Sequence, residues 1–406
     1  MNPRRVVPGL CALAFVLRAA GAFLAPAHLW VYTDYFDMAK NVVHGVGYCL
    51  GDDRTLCAYF PPVYPTILAA GILTGHPWTA IALISSLLGA GTVWLTYLIG
   101  QRLFGTAVGL LASAYAAVYP YYVWHDPVLQ ETGTLAFVVA GAMYLLLRGA
   151  GPRPAAASQA AMLPLAAGAA LGLCVLTKAN LALFLLLALA WTAVAFGVRR
   201  ALWMALGAAL IVGPWVVRTW RITGEPILYS NAGFSLWTAN HRLTFDYFPD
   251  RRIDDAQVPE WTDLTPAEQR EFDAISDPHW IKQTHWLWRK GMAFILAHKW
   301  LTLRRAVYKV WIGFSPKFSP AKGWLFQTIY FVSYAPMLAL ACWGAWRSRH
   351  RWRDLAYIHA AFLGFALGTA VFWAHTSHRM YLEPYLMILA ASALASKTTS
   401  CGAPPA

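Results

Sequence analysis

The chain has 406 residues, of which 58% are hydrophobic and only 13% are charged, and its mean hydropathy is +0.46. A soluble protein would carry about 25% charged residues, so the composition excludes an ordinary soluble domain and predicts an all-α polytopic membrane protein. The net charge of +13 does not indicate a nucleic-acid partner, because the arginines are scattered over short loops and form no patch.

Helices that cross the hydrocarbon need about 20 mostly apolar residues. About ten segments approach that length, and in chain order they are 7–28, 79–101, 106–122, 129–147, 160–178, 181–197, 201–219, 324–346, 355–374 and 380–396. The apolar segment 64–75 is too short to span and follows Pro61-Pro62, which predicts an interfacial or re-entrant helix. The segment 293–314 mixes apolar and basic residues and predicts one amphipathic helix on the membrane.

Lys and Arg cluster in the short loops on one side of the predicted bundle, and the positive-inside rule makes that side cytoplasmic. We expect a retained first helix rather than a cleaved signal peptide, because its apolar run is long for a signal. The predicted organisation is an N-terminal transmembrane module at 1–222 with a first external loop at 29–78, an external module at 223–323, and C-terminal transmembrane helices at 324–406.

Four acidic residues lie at the external surface in the N-terminal half of the chain: Asp34, Asp37, Asp126 and Glu131. Asp126 precedes a proline and is either an N-cap or part of a site. Glu131 lies further in, among uncharged residues, where an ionisable group is a candidate for function. Two carboxylates from separate loops that meet at one cleft suit general-base catalysis. Asp34 could equally be solvated and inert.

Basic side chains lie at the same surface: Lys178, Arg218, His378 and Arg379. Each either extends its charged end from an apolar stem into the interface or shares in binding a phosphate or diphosphate, which arginine suits best. His375 and His378 have only Glu383 as the nearest carboxylate, and this spacing matches no standard metal site. Dependence on a divalent metal is therefore possible but unsupported by the sequence, and no cofactor is assigned.

Three further residues, Arg18, Cys49 and Cys57, allow more than one interpretation. Arg18 interrupts the first span and either turns toward neighbouring helices or contacts an anionic lipid headgroup. Cys49 and Cys57 both lie in the first external loop, where they form either a disulfide or two free thiols. Zinc is less well supported there, because no His lies beside them at ligand spacing.

Several short stretches occur in a characteristic order. They are Asp34-Tyr35-Phe36-Asp37-Met38-Ala39 with Gly45, Gly47 and Tyr48; Pro61-Pro62-Val63-Tyr64-Pro65; Gln130-Glu131-Thr132; Pro214-Trp215-Val216-Val217-Arg218; 230–237 with Asn240; and Arg379, Tyr381 and Pro384. This order resembles the polytopic glycosyltransferases of the GT-C fold, near the bacterial aminoarabinose lipid A transferases and the protein O-mannosyltransferases.

The resemblance implies a sugar donor on polyprenyl phosphate and an inverting attack by a lipid or glycan acceptor hydroxyl, at the external face of a bacterial inner membrane among its lipids. Asp34 would be the base, with Asp37 competing for that role and Glu131 sharing it. Lys178, Arg218, Arg379 and His378 would hold the donor phosphate. The residues expected to contact acceptor or sugar are Tyr64, Asn231, Trp237 and Asn240. The external module is then a lid or acceptor-binding unit.

The alternative is a transporter or flippase of a lipid-linked substrate. Such proteins place polar groups at mid-membrane and show internal repeats, whereas the acids and bases here gather at one surface. The chain also has no P-loop, GxGxxG, HExxH or GxSxG motif, so an activated substrate would arrive attached to a lipid. The transferase interpretation requires acids and arginines from the first loop, the fourth span and the last span to converge on one cleft.

Overall fold

The computed structural model describes residues 3–24, 33–149, 159–251 and 263–395, and the regular elements in these ranges are helices. In chain order they are α1 (Pro3–Leu24), α2 (Thr33–Val43), α3 (Val63–Ile72), α4 (Pro77–Phe104), α5 (Thr106–Val118), α6 (Pro120–His125), α7 (Thr132–Gly149), α8 (Gln159–Thr177), α9 (Ala182–Phe196), α10 (Val198–Thr223), α11 (Ala232–Ala239), α12 (Thr244–Tyr247), α13 (Pro266–Asp273), α14 (Ile281–Ala297), α15 (Lys299–Phe314), α16 (Trp324–Arg347), α17 (Ala356–Val371) and α18 (Glu383–Leu394). Short 3-10 helices cover Ala179–Leu181, Arg349–Arg351 and Thr376–Leu382.

Each of the ten predicted spans coincides with one of these helices, which confirms the all-α polytopic fold. Among the described residues, six helical segments are long and apolar enough to cross a membrane: α1, α4, α7, Ala179–Phe196, α10 and α16. The third predicted span is shorter than expected, because Tyr119 takes an extended backbone before Pro120 and α5 ends there. A residue before proline is disfavoured in the helical region, which explains the break.

The two interfacial predictions had different outcomes. The short apolar segment forms the helix α3, and its interfacial or re-entrant position stays a prediction. The prediction of one amphipathic helix over 293–314 is wrong, because His298 leaves the helical backbone and separates α14 from α15. The His298 ring packs on Phe294 with centroids 4.6 Å apart. The proposed boundaries of the external module stay a prediction, with α10 ending at Thr223 and α16 beginning at Trp324.

Small residues allow a close helix crossing between α8 and α10. A Cβ added to Gly168 would overlap the main-chain oxygen of Met204, and one added to Gly207 would overlap that of Leu165. Close approach of backbones through small residues is how helices associate where lipid supplies no hydrophobic driving force. This contact positions α8, and Lys178 directly follows its last residue.

A buried ion pair joins α1 to the loop before α7. The Arg18 guanidinium is fully buried, pairs with the Asp126 carboxylate and also donates to the main-chain oxygens of Ala14, Ala116 and Ala117. Arg18 therefore turns toward neighbouring helices. Asp126 follows the last residue of α6 and does not cap α7, so its interpretation as an N-cap is wrong.

Removing one partner of this pair is expected to destabilise the fold. Arg18→Met should lower the free energy of unfolding by about 3–5 kcal/mol, because it leaves the Asp126 carboxylate buried and unpaired. The double variant Arg18→Met/Asp126→Leu should recover most of that loss, since no charge then remains. Thermal unfolding of the purified protein in detergent measures both. Equal stability of the single and double variants would contradict the assignment.

Candidate functional site

The site is built around an ion pair where α7 begins and α8 ends. The Glu131 carboxylate lies 2.6 Å from the Lys178 ammonium, and the two side chains are 6% and 18% exposed. Burial raises the pKa of Glu131, but the charge and hydrogen bond of Lys178, together with two further hydrogen bonds, hold it below its ordinary value. Glu131 is therefore ionised at neutral pH, and the pair keeps the Lys178 charge in place.

The helix α2 contacts this pair through its first turn, which also carries Asp34. Tyr35 hydrogen bonds to Glu131, so the first turn of α2 lies against the Glu131–Lys178 pair. Asp34 precedes Tyr35 and is exposed, with no ion pair to any residue that the structure describes. Although the Asp34 side chain reaches solvent, neighbouring protein atoms displace part of its water, and this desolvation together with the charge of Asp37 raises the pKa of Asp34. Asp37 itself pairs with Lys40 at 2.6 Å.

Two more of the predicted site residues, Tyr64 and His378, lie near the Glu131–Lys178 pair. Tyr64 of α3 is 2% exposed and meets the Tyr35 ring edge-on, with centroids 5.2 Å apart. Burial and the nearby Glu131 carboxylate raise the pKa of Tyr64 well above its ordinary value. His378 lies in the 3-10 helix Thr376–Leu382, which precedes α18. Burial and the charges of Lys178 and His375 hold the pKa of His378 well below its ordinary value, so it is neutral at pH 7.

Tyr35 and Tyr64 thus lie near Glu131, and His378 lies near Lys178, whereas the convergence of Asp34 on this pair stays a prediction. Arg379 does not join them. Its guanidinium is fully buried and donates to the main-chain oxygens of Gly313 at 2.6 Å and Ser315 at 3.4 Å, to the Tyr330 hydroxyl, and to the Glu383 carboxylate at 3.4 Å. Its expected phosphate contact stays a prediction, and its contacts favour a role in joining α15, α16 and α18. Asp126 is likewise buried and pairs with Arg18.

Arg218 organises the first external loop. It donates to the main-chain oxygens of Cys57 at 2.9 Å and Tyr48 at 3.0 Å, and its guanidinium lies 4.7 Å from the Trp215 ring centroid. Cys49 and Cys57 form a disulfide within that loop, so the pairing interpretation is the one the structure supports. The loop that carries Asp34 is thereby fastened to α10.

The remaining predicted acceptor residues lie in the external module. Trp237 is 4% exposed and packs in a core with Trp286 and Leu287. Asn240 donates to the main-chain oxygens of Leu236 and Val371 at 2.9 Å each. Asn231 directly precedes α11, next to Ser230, whose N–H donates to the first loop at Ala58. Contact with acceptor stays a prediction for all three, and the burial of Trp237 and Asn240 favours packing.

Sequence analysis does not single out Tyr35, although it connects α2 to Glu131. The first loop has several aromatic residues, and no local pattern distinguishes the one that bonds to a carboxylate about a hundred positions later. For metals, the described part of the chain holds no group of three or more His, Cys, Asp or Glu side chains placed to bind an ion. The interpretation with a divalent cation thus gains no support from geometry.

Comparison with known proteins addresses the fold. Residues 60–219 match the family model described as dolichyl-phosphate-mannose-protein mannosyltransferase. The oligosaccharyltransferase AglB from Archaeoglobus fulgidus, solved with an inhibitory peptide and a dolichol-phosphate, matches with a TM-score of 0.54 at 16% identity, over 96% of this chain and 50% of that chain. The chain has the GT-C fold of membrane glycosyltransferases. The resemblance in the sequence predicts this fold, and the prediction is confirmed.

Other solved GT-C proteins are also similar. The Archaeoglobus fulgidus oligosaccharyltransferase tethered to an acceptor peptide with the NVT sequon matches with a TM-score of 0.56 at 15% identity, over 96% of this chain and 49% of that chain. ArnT from Cupriavidus metallidurans bound to undecaprenyl phosphate gives a TM-score of 0.47 at 16% identity, over 97% of this chain and 78% of that chain. The chain spans about half the length of the archaeal structures. No curated protein sequence matches it.

Proposed function

We propose that the protein is a membrane glycosyltransferase that moves a sugar from a polyprenyl-phosphate donor to a hydroxyl of a lipid or glycan acceptor, at the external face of a bacterial inner membrane. The observation that carries the proposal is the Glu131–Lys178 pair, tied through Tyr35 to the turn that bears Asp34. The matched family region at 60–219 contains both members of the pair. The neighbouring structures bound to dolichol-phosphate and undecaprenyl phosphate also support a lipid-linked donor.

In this reaction the acceptor oxygen attacks the anomeric carbon from the face opposite the phosphate. The new carbon–oxygen bond forms as the bond to phosphate oxygen breaks, the acceptor proton passes to Asp34, and polyprenyl phosphate leaves with the bonding electrons. A single displacement of this kind inverts the anomeric configuration. A carboxylate whose pKa is raised toward the working pH is the better general base, and Asp34 has this property.

Lys178 supplies positive charge for the departing phosphate. A preorganised charge acts on the anion that develops in the transition state, and in a site with little water this is often the largest catalytic contribution. The Glu131 carboxylate holds the Lys178 ammonium in position and balances its positive charge until a donor phosphate binds. The ring N–H of His378 donates to the main chain of Trp373, so in the neutral ring the other nitrogen would accept a hydrogen bond from a sugar hydroxyl. Arg379 has no part in this scheme, because protein groups already occupy its guanidinium.

The test uses the purified protein in nanodiscs with a set of synthetic short-chain polyprenyl-phosphate sugars and an extract of envelope glycolipids. We expect one donor to be consumed, a glycolipid heavier by one sugar, and an inverted anomeric linkage by NMR. In parallel, proteoliposomes loaded with a fluorescent lipid-linked sugar measure translocation. Movement across the bilayer without any transfer would replace the proposal with the transporter alternative.

A further inference from the structure

The external module has an open groove of about 730 Å³ between the end of α13 and the exposed face of α14. Its volume falls in the range typical of small-molecule sites, about 300–1,000 Å³. The side chains that give it chemical character are Glu271, Lys282, His285, Trp286, Trp288 and Arg289. None of them takes part in the site around Glu131.

One wall of the groove carries the cationic side chains of Lys282 and Arg289, with the His285 ring between them. Lys282, His285 and Arg289 are exposed and lie three and four residues apart on α14, a spacing that places side chains on one helix face. Trp288 stands beside them with 40% of its surface exposed. Trp286 points inward, and its Nε1 donates to Glu271 Oε1 at 2.8 Å. Aromatic and cationic groups therefore line the same open space.

The nearby carboxylates contact other groups, and they leave two basic side chains of the groove without an ion pair. Asp277 accepts the main-chain N–H groups of His279, Ile281 and Lys282 at 2.9 Å each, where α14 begins. His285 pairs with Glu225 at 3.1 Å, and Glu271 holds Trp286. Lys282 and Arg289 form no ion pair with any residue in the described ranges.

From these contacts we infer that the groove binds an anionic saccharide, namely a sugar ring that carries a phosphate or carboxylate. The faces of sugar rings are apolar and pack on exposed aromatic rings such as Trp288. The phosphate or carboxylate would lie between Lys282 and Arg289, whose charge-assisted hydrogen bonds suit it. The second oxygen of Glu271 remains to accept a sugar hydroxyl.

The groove is attached to the loop that carries Asp34. The N–H of Leu56 in the first external loop donates to the main-chain oxygen of Pro278 at 2.8 Å. The rings of Tyr59 and Trp280 also meet, with centroids 6.3 Å apart. Given the proposed transferase function, on which this step rests, the bound saccharide is the headgroup of the acceptor. The acceptor class is then an anionic glycolipid or glycan.

The test measures binding without any donor. Saturation-transfer NMR on the full chain in nanodiscs of neutral lipid uses glucose 6-phosphate and glucuronic acid as probes, with methyl glucoside and inorganic phosphate as comparisons. We expect ring-proton signals for both anionic sugars and at least roughly tenfold weaker binding in Lys282→Gln/Arg289→Gln, which removes both charged donors. Trp288→Ala should reduce the signal from the ring protons most. The matched control is Lys299→Gln/Arg304→Gln on α15, two exposed basic residues outside the groove, which should bind as the wild type does.

Three outcomes overturn the inference. Methyl glucoside binding as well as the anionic sugars would show that charge is not recognised, and inorganic phosphate displacing them at equal concentration would show a simple anion site. Equal weakening by the α15 control would show a nonspecific effect of net charge. Because no donor is present, failure of the transferase reaction leaves this binding result unchanged. If Lys282→Gln/Arg289→Gln loses binding of the anionic sugars but transfers sugar at the wild-type rate, only the link between the groove and the acceptor is overturned.

Discussion

Replacing Asp34 with Asn is expected to lower kcat by about two to four orders of magnitude, the usual contribution of a positioned general base. Asp34 is exposed at the start of α2, next to the residue that bonds Glu131, whereas Asp37 is held by Lys40. Asn keeps the shape and removes the proton acceptor, so KM and stability should change little. Steady-state kinetics with whichever donor the nanodisc assay shows to be consumed measures the effect.

The variant Asp37→Asn is the matched control for this experiment and makes a second readout possible. Activity that depends on ionised Asp34 falls as pH drops through the Asp34 pKa, which the charge of Asp37 raises. Removing that charge should lower the Asp34 pKa and move the acidic limb of the pH–rate profile to lower pH, with kcat at pH 7 nearly unchanged. An inactive Asp37→Asn protein beside an active Asp34→Asn protein would transfer the role of base to Asp37.

Sequence reasoning predicts the elements of this fold well because membrane helices are dictated by local composition. A run of apolar residues long enough to span must form a helix in lipid, where backbone groups have no water to bond. The short α3 follows from the same length argument. The break at His298 does not, because the residues around it continue the amphipathic pattern that suggested one helix.

The candidate site is predicted less completely, since a charged residue at a helix end looks the same whatever its partner. Lys178 and Arg379 are both basic residues beside apolar spans. One meets Glu131 in a partly exposed position, and the other is fully buried against Glu383, Tyr330 and the end of α15. Only the packing of distant helices separates them. Glu131 was accessible to sequence reasoning because an ionisable group among uncharged residues at membrane depth is a candidate for function, whereas Asp34 in the external loop could equally have been solvated and inert.

Removing either member of the Glu131–Lys178 pair is expected to cost both stability and activity, whereas removing both should cost activity alone. Glu131→Gln and Lys178→Met each leave one partly buried charge unpaired, and breaking such a pair costs up to about 3–5 kcal/mol, less here because Lys178 is partly exposed. The double variant Glu131→Gln/Lys178→Met leaves no charge, so its unfolding temperature should return toward that of the wild type.

Activity should not return with stability, because the leaving phosphate has then lost its fixed positive charge. Loss of one such electrostatic group typically lowers kcat by about two to three orders of magnitude. The Arg18–Asp126 pair supplies the comparison, since its double replacement should restore stability and transfer together. Measuring melting temperature and kcat on the same preparations separates the two roles. A double variant at 131 and 178 that transfers sugar at the wild-type rate would make this pair structural and remove Lys178 from the chemistry.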